Sequence, residues 1–221
     1  MSTYIRNLIK EGENQQLDFK FEISDSKKIA KTLVAFANTN GGKLLVGVKD
    51  NGKIAGVRYD EEYYMVEAAA QLYCKPEIKF SSREWQLNGK IVLEIVVPKS
   101  ENKPHYAYDH DGRWLAYIRV DDQNLLANDV MIKVWKNSRK SRGVKIHYTD
   151  NEKLLLDFLE QNKRITLSKF CKIAKITRFD AKKILINLIS IQIIDIVFTE
   201  KQIYYEILPD GKLDEKLKKS G

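Results

Sequence analysis

Apolar residues at Ile29, Leu33, Phe36 and Ala37 recur at the i, i+4, i+7, i+8 spacing of one buried helical face. Ser24, Asp25 or Ser26 can cap that helix at its start. Asn38-Thr39-Asn40-Gly41-Gly42 stops it, because glycine, and next best asparagine, tolerates the left-handed backbone that ends a helix. The period then changes. Lys43–Val48 predicts a short strand, Asn51-Gly52 a two-residue hairpin turn and Ile54–Val57 the returning strand. The tip of that hairpin carries Lys49, Asp50 and Lys53.

On the N-terminal side, Leu17, Phe19 and Phe21 alternate with Asp18 and Lys20, the pattern of an early strand with one buried face. Downstream, Asp60–Tyr73 predicts a helix, and Glu77–Leu87 and Lys90–Val97 predict strands joined at Asn88-Gly89. Asp109–Gly112 reads as a polar turn before a strand over Trp114–Val120, and Asn128–Lys136 as a short helix. These elements make an α+β domain: a mixed sheet with hairpins and flanking helices.

The C-terminal pattern is different. Thr149-x-x-Glu152 forms a capping box ahead of Leu154, Leu155, Phe158 and Leu159 on one side of a helix. Thr166 caps a second helix with Leu167, Phe170, Cys171 and Ala174, and Thr177-x-x-Asp180 a third with Ala181, Ile184, Leu185 and Leu188. Ile194, Ile196 and Phe198 then alternate, a turn falls at Thr199–Gln202, and Ile203, Tyr205 and Ile207 alternate back. Three short helices and a hairpin predict a small winged helix-turn-helix. Its third helix presents Arg178, Lys182, Lys183 and Asn187 outward, and Lys201 sits on the wing. Those are the residue types that contact phosphates and base edges.

Charge sharpens this picture. The 221 residues have a net charge of +8, which favours a polyanionic partner. Between Lys133 and Lys145 stand Lys133, Lys136, Arg139, Lys140, Arg142 and Lys145 without an acid, the composition of a solvated linker or of a stripe against phosphates. No apolar run has the length of a signal peptide or a membrane span, so no membrane partner is expected. Cys74 and Cys171 lack the C-x-x-C spacing of a zinc site and read as free thiols in a cytoplasmic protein. His105, His110 and Asp111 could make a metal site, but Asp109-His110-Asp111-Gly112 is more simply a polar turn. Gly47–Ile54 matches G-x-x-x-x-G-K but has Ile where a P-loop needs Ser or Thr, and lies in a hairpin where a P-loop runs from strand to helix. A P-loop ATPase is excluded.

Glu13-Asn14-Gln15-Gln16-Leu17-Asp18-Phe19-Lys20, then Ala35–Gly42 as A-F-A-N-T-N-G-G, then Gly47-Val48-Lys49-Asp50 and Gly56, resemble the Schlafen-type AlbA-like domain. Lys103-Pro104-His105-Tyr106 and Tyr117-Ile118-Arg119-Val120 resemble its later strands, so the likeness covers roughly residues 7–130. The resemblance implies nucleic-acid binding, and in members that cleave RNA a carboxylate triad, here Glu13, Asp18 and Asp50. Such acids would hold magnesium or manganese, which polarises a phosphodiester and activates water. Asp18 is one methylene shorter than the glutamate of the family pattern. Two distant cysteines cannot make the zinc site of eukaryotic Schlafen cores. A short basic stretch stands where many bacterial relatives have an ATPase-like domain, so ATP dependence is not expected.

The expected organisation is an AlbA-like nucleic-acid-binding domain over 1–132, a basic linker over 133–148, a winged helix over 149–209 and a charged tail over 210–221. The leading expectation is a DNA-binding transcriptional regulator, with DNA preferred to RNA. In the AlbA-like domain Lys20, Lys49 and Lys53 join Arg139, Lys140 and Arg142 as backbone contacts. The rival reading is a metal-dependent endoribonuclease using the three acids, with magnesium or manganese as its only cofactor. A third is a homo-oligomeric assembly module paired through the winged helix.

Overall fold

The computed structural model describes residues 2–139, 148–199 and 201–209. The chain divides into two compact units, Met1–Ala127 and Asn128–Gly221.

The first unit is built on a four-stranded mixed sheet. In chain order come α1 (Ser2–Glu11), β1 (Leu17–Lys20), α2 (Ser26–Asn38), β2 (Gly42–Val46), α3 (Tyr59–Leu72), β3 (Cys74–Lys75), β4 (Ser81–Leu87) and β5 (Lys90–Val97). Four short strands follow: β6 (Tyr106–Tyr108), β7 (Trp114–Leu115), β8 (Tyr117–Val120) and β9 (Gln123–Leu126). The sheet order is β1-β2-β5-β4, with β1 and β2 parallel around the α2 crossover and the other pairs antiparallel. Alternation along the strands makes two cores. Leu44, Val46, Leu93, Ile95 and Val97 face the helical side, with α2 and α3. Leu17, Phe19, Leu45, Trp85, Leu87 and Val92 pack with Ile5, Leu8 and Ile9 of α1.

Helix α2 is the centre of this unit. Asp25 caps it, accepting from Lys27 N–H at 2.8 Å. Ten of its residues are buried, because it also touches α3, β6, β8 and β9. Its stop works as the composition demands: Gly41, at φ +73°, donates its N–H to Phe36 O at 2.9 Å. A Cβ on Gly41 would meet Lys99 N and Val97 O at 2.8 Å, and one on Gly42 would enter the Phe36 ring. Both glycines are therefore close-approach positions as well as a turn.

Several elements differ from the sequence pattern. The Val48–Ile54 return is a single bridge, not a strand over Ile54–Val57. Gly47 O accepts from both Ala55 and Gly56, which bends the chain toward Ile91 and ends the ladder. The span Trp114–Val120 breaks in two: β7 joins β3 and β6 in one sheet, whereas β8 pairs with β9. Strand β4 begins only at Ser81, because Ile78 N–H turns back to Ala70 O. Helix α1 was not expected; its apolar signal is confined to Ile5, Leu8 and Ile9.

The second unit contains α4 (Asp129–Ser138), α5 (Asp150–Asn162), β10 (Arg164–Ile165), α6 (Leu167–Ala174), α7 (Arg178–Ser190), β11 (Ile194–Phe198) and β12 (Ile203–Ile207). Its sheet order is β10-β12-β11. The capping box of Thr149 and Glu152 is formed. Leu155, Leu156, Leu159, Phe170, Ala181, Leu185, Leu188 and Tyr205 make the core, while Leu154 lies outside it, exposed. Helix α4 corrects the expected boundary. Its Val130 is 1% exposed in the second unit's core, so Asn128–Ser138 folds with that unit. Lys133 and Lys136 are thus helical residues rather than linker. Lys140, Arg142, Lys145 and the tail over 210–221 lie outside the described residues.

Candidate nucleic-acid interface

The acids come first. Asp18 lies on β1 between Leu17 and Phe19, so its side chain takes the opposite face of the strand, under the end of α2. It is 3% exposed. Arg119 from β8 reaches its Oδ1 at 3.1 Å, and Lys20 Nζ lies 2.8 Å from Oδ2. The lysine is off the direction of a hydrogen bond to Oδ2 and donates instead to Phe19 O at 2.7 Å. Glu13 accepts from Phe19 N–H at 2.8 Å. Burial, and then the adjacent Asp18 as hydrogen-bond partner and like charge, push the Glu13 carboxyl above its usual range. Glu13 and Asp18 are therefore a carboxyl pair answered by an arginine and a lysine.

Asp50 is not part of that group. It is exposed in the turn over Lys49–Lys53. Among the described residues no three His, Cys, Asp or Glu side chains come together to hold a metal. A divalent ion beside Asp18 would have to displace the Lys20 ammonium from one oxygen and the Arg119 guanidinium from the other.

The residues around Asp18 form a buried polar clasp. Arg119, its side chain 1% exposed, also donates to Asn14 O, Leu17 O and Asn124 Oδ1 at 3.1–3.3 Å. Its own N–H donates to Thr39 Oγ1 at 2.9 Å. Asn38 donates to His105 O and Tyr117 O and accepts from His105 N–H, all within 2.9 Å. Lys103 Nζ donates to Thr39 O at 3.0 Å, and burial lowers its ammonium to about 8. The A-F-A-N-T-x-G-G and Y-x-R-V stretches thus meet each other: they tie the C-terminal end of α2 to β1 and β8. Neither Asn38 nor Arg119 was named a site residue from sequence, and both are central here.

The candidate cations divide by environment. Lys49 and Lys53 are exposed, with Lys49 Nζ 5.0 Å from the centre of the half-exposed Phe21 ring. Arg139 is exposed at the end of α4, and Lys201 is exposed between β11 and β12. On α7, Arg178 and Lys183 are exposed and Asn187 is half-buried. Lys182 is not simply outward: its Nζ lies 2.5 Å from Asp129 Oδ2 of α4. That hydrogen bond and charge hold the Asp129 carboxyl below its usual range. Asp129, Arg178 and Lys182 line one cleft of about 500 Å³ with Thr166 and Tyr205. From Leu167 to Lys183 the chain carries six cations (Lys169, Lys172, Lys175, Arg178, Lys182, Lys183) against one acid, Asp180. Helix α5 carries four acids and one lysine, so the charge of this unit is polarised. Lys169, Lys172 and Lys175 were missed because attention to the third helix alone passes over the one before it.

Fold and clasp define an α+β domain whose mixed sheet is locked to a buried helix end, followed by a small unit of helices and a hairpin. The sequence profile described as Schlafen, AlbA_2 matches residues 13–128, more than half of the chain. The protein belongs to the Schlafen AlbA_2 family. Among solved structures, it is similar to the DIP2311 protein of Corynebacterium diphtheriae, at 22% identity and a TM-score of 0.42, over 59% of this chain and 28% of that one. It is also similar to the N-terminal domain of an ATP-dependent DNA helicase RecG-related protein of Nitrosomonas europaea. There the identity is 21% and the TM-score 0.42, over 65% of this chain and 97% of that one. The match thus spans well under two thirds of the length of the first of these. No curated protein is significantly similar to the chain. No helix among the described residues is long and apolar enough to cross a membrane.

Proposed function

We propose that the protein binds nucleic acid and acts as a DNA-binding transcriptional regulator, with the second unit a winged helix that grips duplex DNA. The observation that carries this reading is the cation-rich α6–turn–α7 segment, six bases to one acid, opposed by an acidic α5 in the same unit. The element order supports it: helix α5, strand β10, helices α6 and α7, then the β11–β12 hairpin with Lys201 at its turn. In a winged helix the third helix enters the major groove and the hairpin flanks it. Arg178 and Lys183 on α7, with Lys169, Lys172 and Lys175 before it, are exposed and suited to phosphate. Acidic α5 turns the same backbone away. Lys182 has a different task on this reading. Its pair with Asp129 fixes α4 against α7 and spends part of its charge inside the protein.

The test is the double variant Arg178→Glu, Lys183→Glu. Duplex DNA affinity falls at least about tenfold, the slope of log Kd against log salt drops by about 2, and the thermal transition stays put. A double variant that binds duplex DNA like the wild type overturns the assignment.

A further inference from the structure

In the first unit, a three-stranded sheet outside the main one carries a row of aromatic rings on one face. Its order is β3-β6-β7. Cys74 pairs with Ala107, and both are buried in the core with α2, at 4% and 0% exposure. The alternate positions face the other way. There Lys75 is the register partner of Tyr106, and Tyr108 the register partner of Trp114. Directly opposed residues share a face, so Lys75, Tyr106, Tyr108 and Trp114 form one outer surface. Trp114 is 40% exposed and Lys75 is exposed.

Cations are laid over this row. Lys75 Nζ is 5.9 Å from the Trp114 ring centre. Lys27, from the start of α2, stands 5.3 Å from the Tyr108 ring and 5.7 Å from the Tyr73 ring. The Tyr108 and Trp114 rings pack at 5.1 Å with their planes inclined by 52°. The acids on neighbouring segments are engaged by basic side chains. Asp109 and Asp111 pair with Arg113 at 3.0 and 2.6 Å, and Asp25 pairs with His110 at 3.0 Å. What remains available is ring surface edged with ammonium groups.

A solvent-facing sheet with ring faces for bases and lysines for phosphate is the arrangement that holds single strands. A duplex hides its base faces in its own stack and has no use for a Trp at this position. We propose that the β3-β6-β7 face binds single-stranded nucleic acid, stacking unpaired bases on Trp114 and Tyr108 and contacting the backbone through Lys27 and Lys75. The inference rests on the nucleic-acid reading for its ligand class alone. It concerns a different unit from the duplex grip, so the two fail separately.

The experiment uses the full chain and labelled oligo(dT) and oligo(rU) of about 15 nucleotides, with a duplex as the third probe. Trp114→Ala weakens single-strand binding about tenfold or more, and Trp114→Phe, which keeps a ring, weakens it far less. Lys75→Glu weakens it as well and reduces its salt dependence. Duplex affinity is unchanged in all three, and thermal unfolding with amide exchange in β3, β6 and β7 like that of the wild type shows that the first unit is folded. Whichever single strand binds tighter identifies the preferred sugar. The proposal is overturned if the wild type binds neither single strand, or if Trp114→Ala and Lys75→Glu bind both like the wild type. Equal losses for the single strands and the duplex in these variants also overturn it.

Discussion

The Arg119–Asp18 pair gives the sharpest test of how this domain uses its acids. Both side chains are nearly inaccessible, at 1% and 4% exposure. A buried pair broken from one side leaves an uncompensated charge and costs about 3–5 kcal/mol. Arg119→Leu leaves Asp18 only the partly exposed Lys20 at 2.8 Å, which softens that cost, but also strands Asn14 O, Leu17 O and Asn124 Oδ1, acceptors worth about 1 kcal/mol each. Domains have only about 5–15 kcal/mol in total, so this variant sits at the edge of unfolding. Arg119→Lys is the usable change: it keeps the charge but cannot span four acceptors. Its expected cost is about 2–3 kcal/mol. Asp18→Asn keeps the shape of the site and removes the charge that Arg119 answers. The assay is urea denaturation of the wild type, the two single variants and the double variant, with amide exchange in β1 and β8 to assign the loss to the first unit. A coupling of about 1–3 kcal/mol is expected between the two substitutions. The reasoning is refuted if Asp18→Asn stabilises the protein and the coupling is below about 0.5 kcal/mol. That result would describe an acid held at a cost for a ligand, not a structural partner of Arg119.

Two further outcomes follow from the clasp and its turn. Gly41→Ala should destabilise far more than Gly89→Ala in thermal denaturation. Both have φ +73°, worth about 1–2 kcal/mol, but only at Gly41 does the new Cβ meet backbone atoms at 2.8 Å. Lys103 predicts a pH effect. Burial, with Lys99 nearby, lowers its ammonium from 10.5 to about 8, so below about pH 8 the folded state carries a charge that it disfavours. Between about pH 8 and 10.5 the unfolded chain binds the extra proton, and stability from this group rises with pH. Wild type should therefore gain on Lys103→Met between pH 7.5 and pH 9.5 in urea titrations; a constant difference would refute the shift.

Much of this protein is written in short spans of sequence. The caps at Asp25, Thr149 and Thr166, the stop at Gly41 and the faces of α2, α6 and α7 depend on contacts within four residues, and such rules act before tertiary structure forms. The tight glycine turns and the capping box appear where the pattern put them. Charge was legible too, as residue types and as runs.

What the charges touch was decided by the tertiary structure. Arg119 meets Asp18 from 101 residues away, Asn38 meets Tyr117 across 79, and Lys182 meets Asp129 across 53. No local rule sets such pairings, because they depend on which strands become neighbours. The same applies to Trp114–Val120: its continuous pattern splits because β7 and β8 join different sheets. It applies equally to the aromatic face, since Tyr106-x-Tyr108 shows only alternation until β3 and β7 bring Lys75 and Trp114 beside it. The sequence determined that Asp18 is an acid on a strand with an apolar opposite face. Only the fold determined that its oxygens face an arginine and a lysine, because a carboxylate's chemistry lies in what surrounds its lone pairs.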